Sequence, residues 1–177
     1  MKKINIVLLF SFILTYAPTC LFASDVDLKI KDPAPRFQLK THQGLDFDLE
    51  SRKGKWTVLY FFPKAETPGC TKQACSFRDN IKKIRNLGAD VFGISTDNVK
   101  DQAAFHTHHN LNFILLADEK AEVTKRYGSK MPLINLSNRW TFIIDPELMI
   151  RNISKDVDPI ADSARVSAEI EELQKKK

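Results

Sequence analysis

The sequence predicts an α/β domain built on a mixed β-sheet, and three observations indicate it. A near-continuous apolar run at residues 56–62 (WTVLYFF) is typical of a strand buried on both faces of a central sheet. Segments with strand and helix periodicity alternate after it, which is the pattern of a layered α/β structure. Two strand-like segments joined by a turn at Asp145-Pro146 predict an antiparallel pair. We therefore expect a sheet that is mixed rather than purely parallel.

The individual elements follow from local periodicity. Short segments that alternate apolar and polar residues around a turn at 42–44 predict a hairpin, and the longer helices carry single apolar stripes. The predicted order is strands at 37–40, 45–49 and 56–62, a helix at 68–87, a strand at 91–95, a helix at 98–109, a strand at 113–116, a helix at 119–127, strands at 140–144 and 148–153, and a final helix from 160.

The first residues read as a secretory signal peptide. Lys2 and Lys3 form a basic start, residues 4–17 are apolar, and small Ala23 precedes Ser24. We expect cleavage after Ala23, which divides the chain into a signal peptide at 1–23 and a domain at 24–177 of an exported, periplasmic protein. The apolar run is shorter than the roughly 20 residues of a membrane-spanning helix. Retention as an anchor and lipidation at Cys20 remain alternatives.

Charge and composition argue against nucleic-acid binding. The formal net charge is +5, and removal of Lys2 and Lys3 would lower it to +3. No basic stripe interleaved with aromatic residues occurs, so we expect no nucleic-acid partner.

Two cysteines would remain after cleavage, Cys70 and Cys75, and an exported protein with two cysteines usually joins them in a structural disulfide. Here both lie in one predicted helix. Positions five residues apart on a helix have Cα atoms roughly 8.6 Å apart, and a disulfide tolerates about 7 Å. The bond can therefore form only when the helix unwinds, which favours a reaction cycle over a permanent crosslink.

The residues before Cys70 prepare a nucleophile. Thr67 suits the N-cap of a helix and Pro68 its first position, so Cys70 falls in the first turn. The helix dipole and free backbone N–H groups there favour a thiolate. Oxidation by peroxide gives a sulfenic acid, which survives long enough to condense with a nearby thiol such as that of Cys75.

These residues resemble a known family. Residues 63–70 (PKAETPGC) match Pro-x-x-x-Thr-x-x-Cys, the active-site signature of the peroxiredoxins, and FFPKAETPGCTKQACSFRD is similar to the Q-type (bacterioferritin comigratory protein) subfamily. The similarity extends to residues 93–97, 115–118 and 139–145, and spans roughly residues 30–172. It implies a thioredoxin-like fold and a thiol peroxidase of the thioredoxin-dependent type that serves in antioxidant defence.

The resemblance also implies a role for each matching residue. Cys70 corresponds to the peroxidatic cysteine and Cys75 to the resolving one. Thr67 corresponds to the hydroxyl that binds peroxide and orients the thiolate, and Pro63 to the proline that shields the pocket from water. Arg139 corresponds to the guanidinium that supports the thiolate and polarises the leaving oxygen, which agrees with the effect of a fixed cation beside a thiolate.

The expected cycle uses hydrogen peroxide or an organic hydroperoxide as substrate and an external, thioredoxin-like dithiol protein as reductant. It requires no cofactor and no metal. An intramolecular resolving cysteine makes a dimer unnecessary, so we expect a monomer, without stable membrane association after cleavage. Two alternatives stay open: a thiol–disulfide oxidoreductase on the same fold, although CxxC is absent, and a non-catalytic binding domain with one structural disulfide.

Three further features carry expectations of their own. His106 and His109 share a face of a predicted helix, but two histidines without a third ligand make a weak metal site. His42 lies in a predicted turn and is expected at the surface. Leu148 occupies a turn position where the family usually has glycine, which leaves the geometry of that turn open.

Overall fold

The computed structural model describes residues 27–176, and the sheet of this part has seven strands in the order β2-β1-β5-β4-β3-β6-β7. Strand β3 pairs in parallel with β4, and β4 with β5, whereas the remaining pairs are antiparallel. The predicted mixed α/β sheet is thus confirmed. The strands are β1 (Gln38–Thr41), β2 (Asp46–Asp48), β3 (Trp56–Phe61), β4 (Ala89–Ser95), β5 (Ile114–Ala117), β6 (Trp140–Ile144) and β7 (Ile150–Ser154), and the helices are α1 (Pro68–Asn86), α2 (Val99–His108), α3 (Glu122–Arg126) and α4 (Asp162–Lys175).

Strand β3, which lies between β4 and β6, separates two hydrophobic clusters. Val58 and Tyr60 face the cluster beneath α1 and α4, whereas Leu59 and Phe61 face the cluster on the opposite side of the sheet. Alternate residues of a strand point to opposite faces, so a strand covered on both faces must be apolar throughout. This is the physical reason for the near-continuous apolar run of residues 56–62.

Helix α1 buries the stripe that the sequence predicts. Its members are all at most 2% exposed, and burial of a large apolar side chain contributes about 1.5–3 kcal/mol. Helix α4 covers a flank of α1, where Ser76 lies 2.7 Å from Ser163 and Asn80 donates to Ser167 at 2.8 Å. The stripe comprises Cys70, Ala74, Phe77, Ile81 and Ile84.

Several helix boundaries differ from the predicted ones because side chains cap the backbone. Asp118 accepts hydrogen bonds from the N–H groups of Val123 and Thr124, at 3.2 and 2.7 Å, so α3 begins at Glu122 rather than 119. A 3-10 turn at Leu49–Arg52, which the periodicity did not predict, begins where Asp48 accepts from the N–H of Glu50.

The expectation for His42 was wrong. This residue is only 8% exposed, and its ring stacks on His106 with centroids 3.8 Å apart. The N–H of Leu115 donates to its Nδ1 at 3.3 Å, because the turn after β1 packs against β5. Burial, and for His42 the neighbouring His106, lower the pKa of both histidines below the ordinary value.

The turn before β7 has a defined geometry despite its missing glycine. Leu148 adopts φ = 61°, the left-handed conformation that favours glycine, and is buried. Asp145 Oδ1 accepts from the backbone N–H groups of Glu147 and Met149, which fixes the turn.

The predicted signal peptide lies outside the described residues. Between residues 27 and 176, no helix combines the length and apolar character needed to cross a bilayer.

Candidate active site

The sheet brings two distant segments to one edge. Strands β3 and β6 are antiparallel neighbours, and Phe61, at the end of β3, pairs with Trp140, at the start of β6. The loop of residues 63–67 that follows β3 therefore lies near Arg139, which precedes β6. Pro63 is half-buried in this loop.

Asp97 anchors this loop. Its Oδ2 accepts from the backbone N–H of Ala65 at 2.8 Å and from the hydroxyl of Ser95 at 2.7 Å. Its Oδ1 accepts from Lys64 Nζ at 3.2 Å. Asp97 is 6% exposed, so its contacts with Ala65 and Ser95 are shielded from water and hold the loop to the end of β4.

Thr67 is the N-cap of α1 by backbone position, but its hydroxyl makes no capping hydrogen bond, which corrects part of the expectation. The hydroxyl instead donates to the carbonyl of Lys64 at 2.9 Å. A carbonyl can only accept, so the proton of Thr67 is committed and its oxygen lone pairs are available to another donor. Pro68 stands at the predicted first helical position.

Cys70 is buried in the first turn of α1, with 1% of its surface exposed. Arg139 Nη2 donates to its Sγ at 3.5 Å, so the guanidinium and the sulfur are in direct contact. Gly69 makes room for this contact, because a Cβ at that position would lie 3.0 Å from Arg139 Nη2. A cation beside a sulfur at a helix N-terminus stabilises the thiolate.

A buried hydrogen-bond network fixes Arg139. Its Nη1 donates to Gln73 Oε1 at 2.6 Å, and Gln73 Nε2 donates to Asp162 Oδ2 at 2.8 Å. Asp162 also accepts from the hydroxyl of Thr141 and from Arg165, both at 2.7 Å. Gln73 and Asp162 are at most 1% exposed. The guanidinium therefore has one preferred orientation toward Cys70.

Sequence reasoning missed Gln73 and Asp162. One signal for Gln73 was present, because a glutamine three residues after Cys70 falls on the buried side of α1. The partners are 89 residues apart, so nothing in the local sequence pointed from Gln73 to Asp162.

Tyr60 adds a protonated phenol to the surroundings of Cys70. Burial, followed by the charge of Cys70, raises its pKa well above the ordinary value. Among residues 27–176, the hydroxyl of Tyr60 has no hydrogen-bond partner. Gly93 accommodates the ring, since a Cβ there would lie 2.6 Å from the phenol oxygen.

Cys75 lies apart from Cys70 and the hydrogen-bond network of Arg139, although it belongs to the same helix as Cys70. It is half-buried and lines an open groove of about 530 Å³. Cys70 and Cys75 are both free cysteines in one uninterrupted helix, as the spacing argument requires of a reduced state. The groove is lined by Lys72, Cys75, Ser76, Asp79, Asn80 and Ile160.

Comparisons with known proteins identify relatives. Residues 30–153 match the model of the AhpC/TSA family. The chain is 43% identical over 120 residues to a chloroplastic peroxiredoxin Q of Triticum aestivum, covering 67% of this chain and 55% of that protein. It is 38% identical over 131 residues to a putative peroxiredoxin bcp of Coxiella burnetii, covering 71% of this chain and 87% of that protein.

A solved structure has the same fold. The crystal structure of peroxidoxin BcpB from Mycobacterium tuberculosis superposes with a TM-score of 0.78 at 32% identity, over 83% of this chain and 99% of that one. The chain spans little more than half the length of the plant relatives it matches, 55–56% for the first three. The match over residues 30–153, the Coxiella relative and the shared thioredoxin-type fold together show that the chain belongs to the AhpC/TSA family, among the peroxiredoxins of the Q type.

Proposed function

We propose that the chain is a thiol peroxidase that reduces hydrogen peroxide and organic hydroperoxides in antioxidant defence. The observation that carries the proposal is the contact between the buried sulfur of Cys70 and the guanidinium of Arg139 at 3.5 Å, in the first turn of a helix that also holds a free Cys75. A buried thiol held beside a fixed cation is prepared for nucleophilic attack.

In the first step the thiolate of Cys70 attacks the terminal oxygen of the peroxide. The S–O bond forms while the O–O bond breaks, and the second oxygen leaves as water or alcohol after it takes a proton. Arg139 stabilises the thiolate and the charge that develops on the leaving oxygen. Thr67 accepts a hydrogen bond from the peroxide O–H, which its committed proton makes possible.

Pro63 closes the loop side of the pocket against water in this scheme. It has no N–H to offer and lies two residues after the end of β3, on the edge of the sheet where Arg139 precedes β6. The anchoring of the loop by Asp97 supports this role, because it holds the loop of residues 63–67 to the end of β4.

In the second step the thiol of Cys75 attacks the sulfenic sulfur of Cys70, water leaves, and an intramolecular disulfide forms. The first turns of α1 must unwind for this bond to form. A thioredoxin-like dithiol protein then reduces the disulfide by exchange. The open groove beside Cys75 supports this step, because the reductant needs access to one of the two sulfurs.

The segment before the domain belongs to the same proposal. Residues 1–23 act as a signal peptide, the domain comprises residues 24–177, and the protein works as a monomer in the periplasm. The basic start, the short apolar run and Ala23 support export. Determination of the N-terminal residue of the protein purified from its native compartment tests this, and Ser24 is the expected result.

Mass spectrometry after one equivalent of peroxide tests the activity. We expect a Cys70–Cys75 linkage in the wild type and a dimedone-trapped sulfenic acid at Cys70 in Cys75→Ser. Absence of both products would contradict the proposed function.

A further inference from the structure

Two histidines at the end of α2 converge on the active-site loop. Glu66 Oε2 lies 3.0 Å from His109 Nε2, and Glu66 Oε1 lies 3.2 Å from His108 Nδ1. One oxygen and two ring nitrogens of these residues all lie within 4.8 Å of one another. His106, which the sequence pattern paired with His109, instead stacks on His42. The third ligand that the sequence did not reveal therefore comes from a residue 42 positions before His108.

The spacing and chemistry of these atoms fit a divalent transition metal. A tetrahedral zinc ion with bonds of about 2.0–2.1 Å separates its ligand atoms by about 3.3 Å, close to the distances from Glu66 to the two histidines. One carboxylate and two imidazoles are also a donor set that zinc adopts with an open fourth position. The side chains of His108 and Glu66 are 70% and 46% exposed, so water can complete the coordination.

Both halves of the cluster are held in place by other contacts. The ring of His109 packs edge-on against Phe105 at 5.0 Å, and its carbonyl accepts from Arg78 at 2.7 Å. Glu66 follows Ala65, which Asp97 anchors, and adopts the left-handed conformation with φ = 61°. A metal would thus find its ligands on two supported segments, which lowers the ordering cost of binding.

We propose that Glu66, His108 and His109 bind a divalent ion of the zinc class and thereby tie α2 to the loop that begins α1. Glu66 immediately precedes Thr67, the N-cap of α1, so the crosslink resists opening of the first turn. Bound metal therefore slows the Cys70–Cys75 disulfide step and prolongs the life of the sulfenic acid. The proposal of metal binding depends only on the geometry of these three side chains, whereas the effect of the metal on the disulfide step rests on the proposed function.

Calorimetric titration with zinc chloride tests binding. The titration uses untagged protein in which serine replaces Cys20, Cys70 and Cys75, so that no thiolate can bind the zinc. We expect one zinc per chain, and an affinity reduced by about tenfold or more in His108→Ala and in Glu66→Gln. Glu119→Gln, an exposed carboxylate outside the cluster, serves as the matched control and should bind as tightly as the parent. No binding by the cysteine-free protein, or an equal loss in the control, would overturn the site.

Single-turnover kinetics test the consequence. Reduced protein receives one equivalent of hydrogen peroxide with or without zinc chloride, and quenched samples are analysed for sulfenic acid and disulfide. We expect zinc to slow the disulfide step several-fold in the wild type and to leave the time course of His108→Ala unchanged. Equal rates with and without zinc in the wild type would refute the regulatory effect. Finding neither sulfenic acid nor disulfide even without zinc would refute the proposed function but would not affect the metal-binding proposal.

Discussion

The two cysteines of α1 occupy contrasting surroundings on one helix. Cys70 is 1% exposed, contacts Arg139 at 3.5 Å and adjoins the buried network that continues through Gln73 and Asp162. Cys75, five residues further along, is half-buried beside an open groove on the side of α1 that meets residue 160. One sulfur is held in a fixed electrostatic environment, and the other is accessible.

Under the proposed function, the two thiols need opposite properties. A nucleophile for peroxide benefits from fixed charges and from exclusion of water, which act without reorganisation during the reaction. A resolving thiol must reach a sulfur that the wound helix keeps too far away, so accessibility and local opening matter more.

Exchange of each cysteine for serine gives the largest expected difference. Cys70→Ser should abolish peroxide consumption, because the nucleophile is lost. Cys75→Ser should reduce one equivalent of peroxide and then stop at the sulfenic acid. Stopped-flow peroxide consumption and intact-mass analysis measure both results. Similar activity in the two variants would mean that the two sulfurs are not specialised.

Loss of the Arg139 guanidinium should slow the attack of Cys70 on peroxide without changing the rate of disulfide formation. Arg139→Met is expected to lower the second-order rate constant with peroxide about 10²–10³-fold, the usual effect of removing one such donor. Arg139→Lys should fall between, because it keeps the charge but not the paired contacts to Cys70 and Gln73. The control Arg85→Met removes an exposed cation near the other end of α1 and should leave the rate constant unchanged.

Gln73 should act as a positioning residue. Gln73→Leu removes one buried hydrogen-bond partner from Arg139 and one from Asp162, so we expect a loss of about 1–3 kcal/mol in the free energy of unfolding and a roughly tenfold slower reaction with peroxide. Asn80→Leu removes a similar tie between α1 and α4, two turns further along the helix. If both variants lose stability but only Gln73→Leu reacts more slowly with peroxide, Gln73 positions Arg139. An equal decrease of the rate constant in both variants would indicate a general structural effect.

The smallest effect concerns helix winding. Lys72 is an exposed residue of α1 between the two cysteines. Lys72→Gly should lower the stability of the helix there by about 1 kcal/mol and accelerate the disulfide step up to about fivefold. Lys82→Gly imposes the same propensity cost beyond Cys75 and should leave that rate unchanged. Rapid-quench mass spectrometry gives both rates. Acceleration by both variants would show that global rather than local opening limits resolution.

Local apolar patterns predicted the central parts of the fold. The apolar run of β3 is visible because both faces of that strand are covered, and the stripe of α1 is visible because one face of that helix is covered. Helix starts were less accurate where a single carboxylate decides them, as Asp118 does for α3. His42 was placed wrongly because the packing of its turn against β5 is a tertiary contact.

The candidate site likewise contains residues that the local sequence predicts and residues that it does not. The preparation of Cys70 could be argued from Thr67 and Pro68, which are adjacent in sequence, whereas Arg139 required the family resemblance. The Gln73–Asp162 link and the Glu66–His109 contact join residues 89 and 43 positions apart, and no local periodicity specifies either. The pairing of histidines by helical spacing selected His106, whose ring the fold uses for packing on His42.

Our claim that one helix holds Cys70 and Cys75 apart until its first turns unwind is tested by hydrogen–deuterium exchange of the reduced and the peroxide-oxidised protein. We predict that oxidation to the Cys70–Cys75 disulfide removes protection from residues 70–75 and preserves it at residues 80–86 of the same helix. A disulfide-linked protein in which residues 70–75 remain as protected as in the reduced state would contradict the claim.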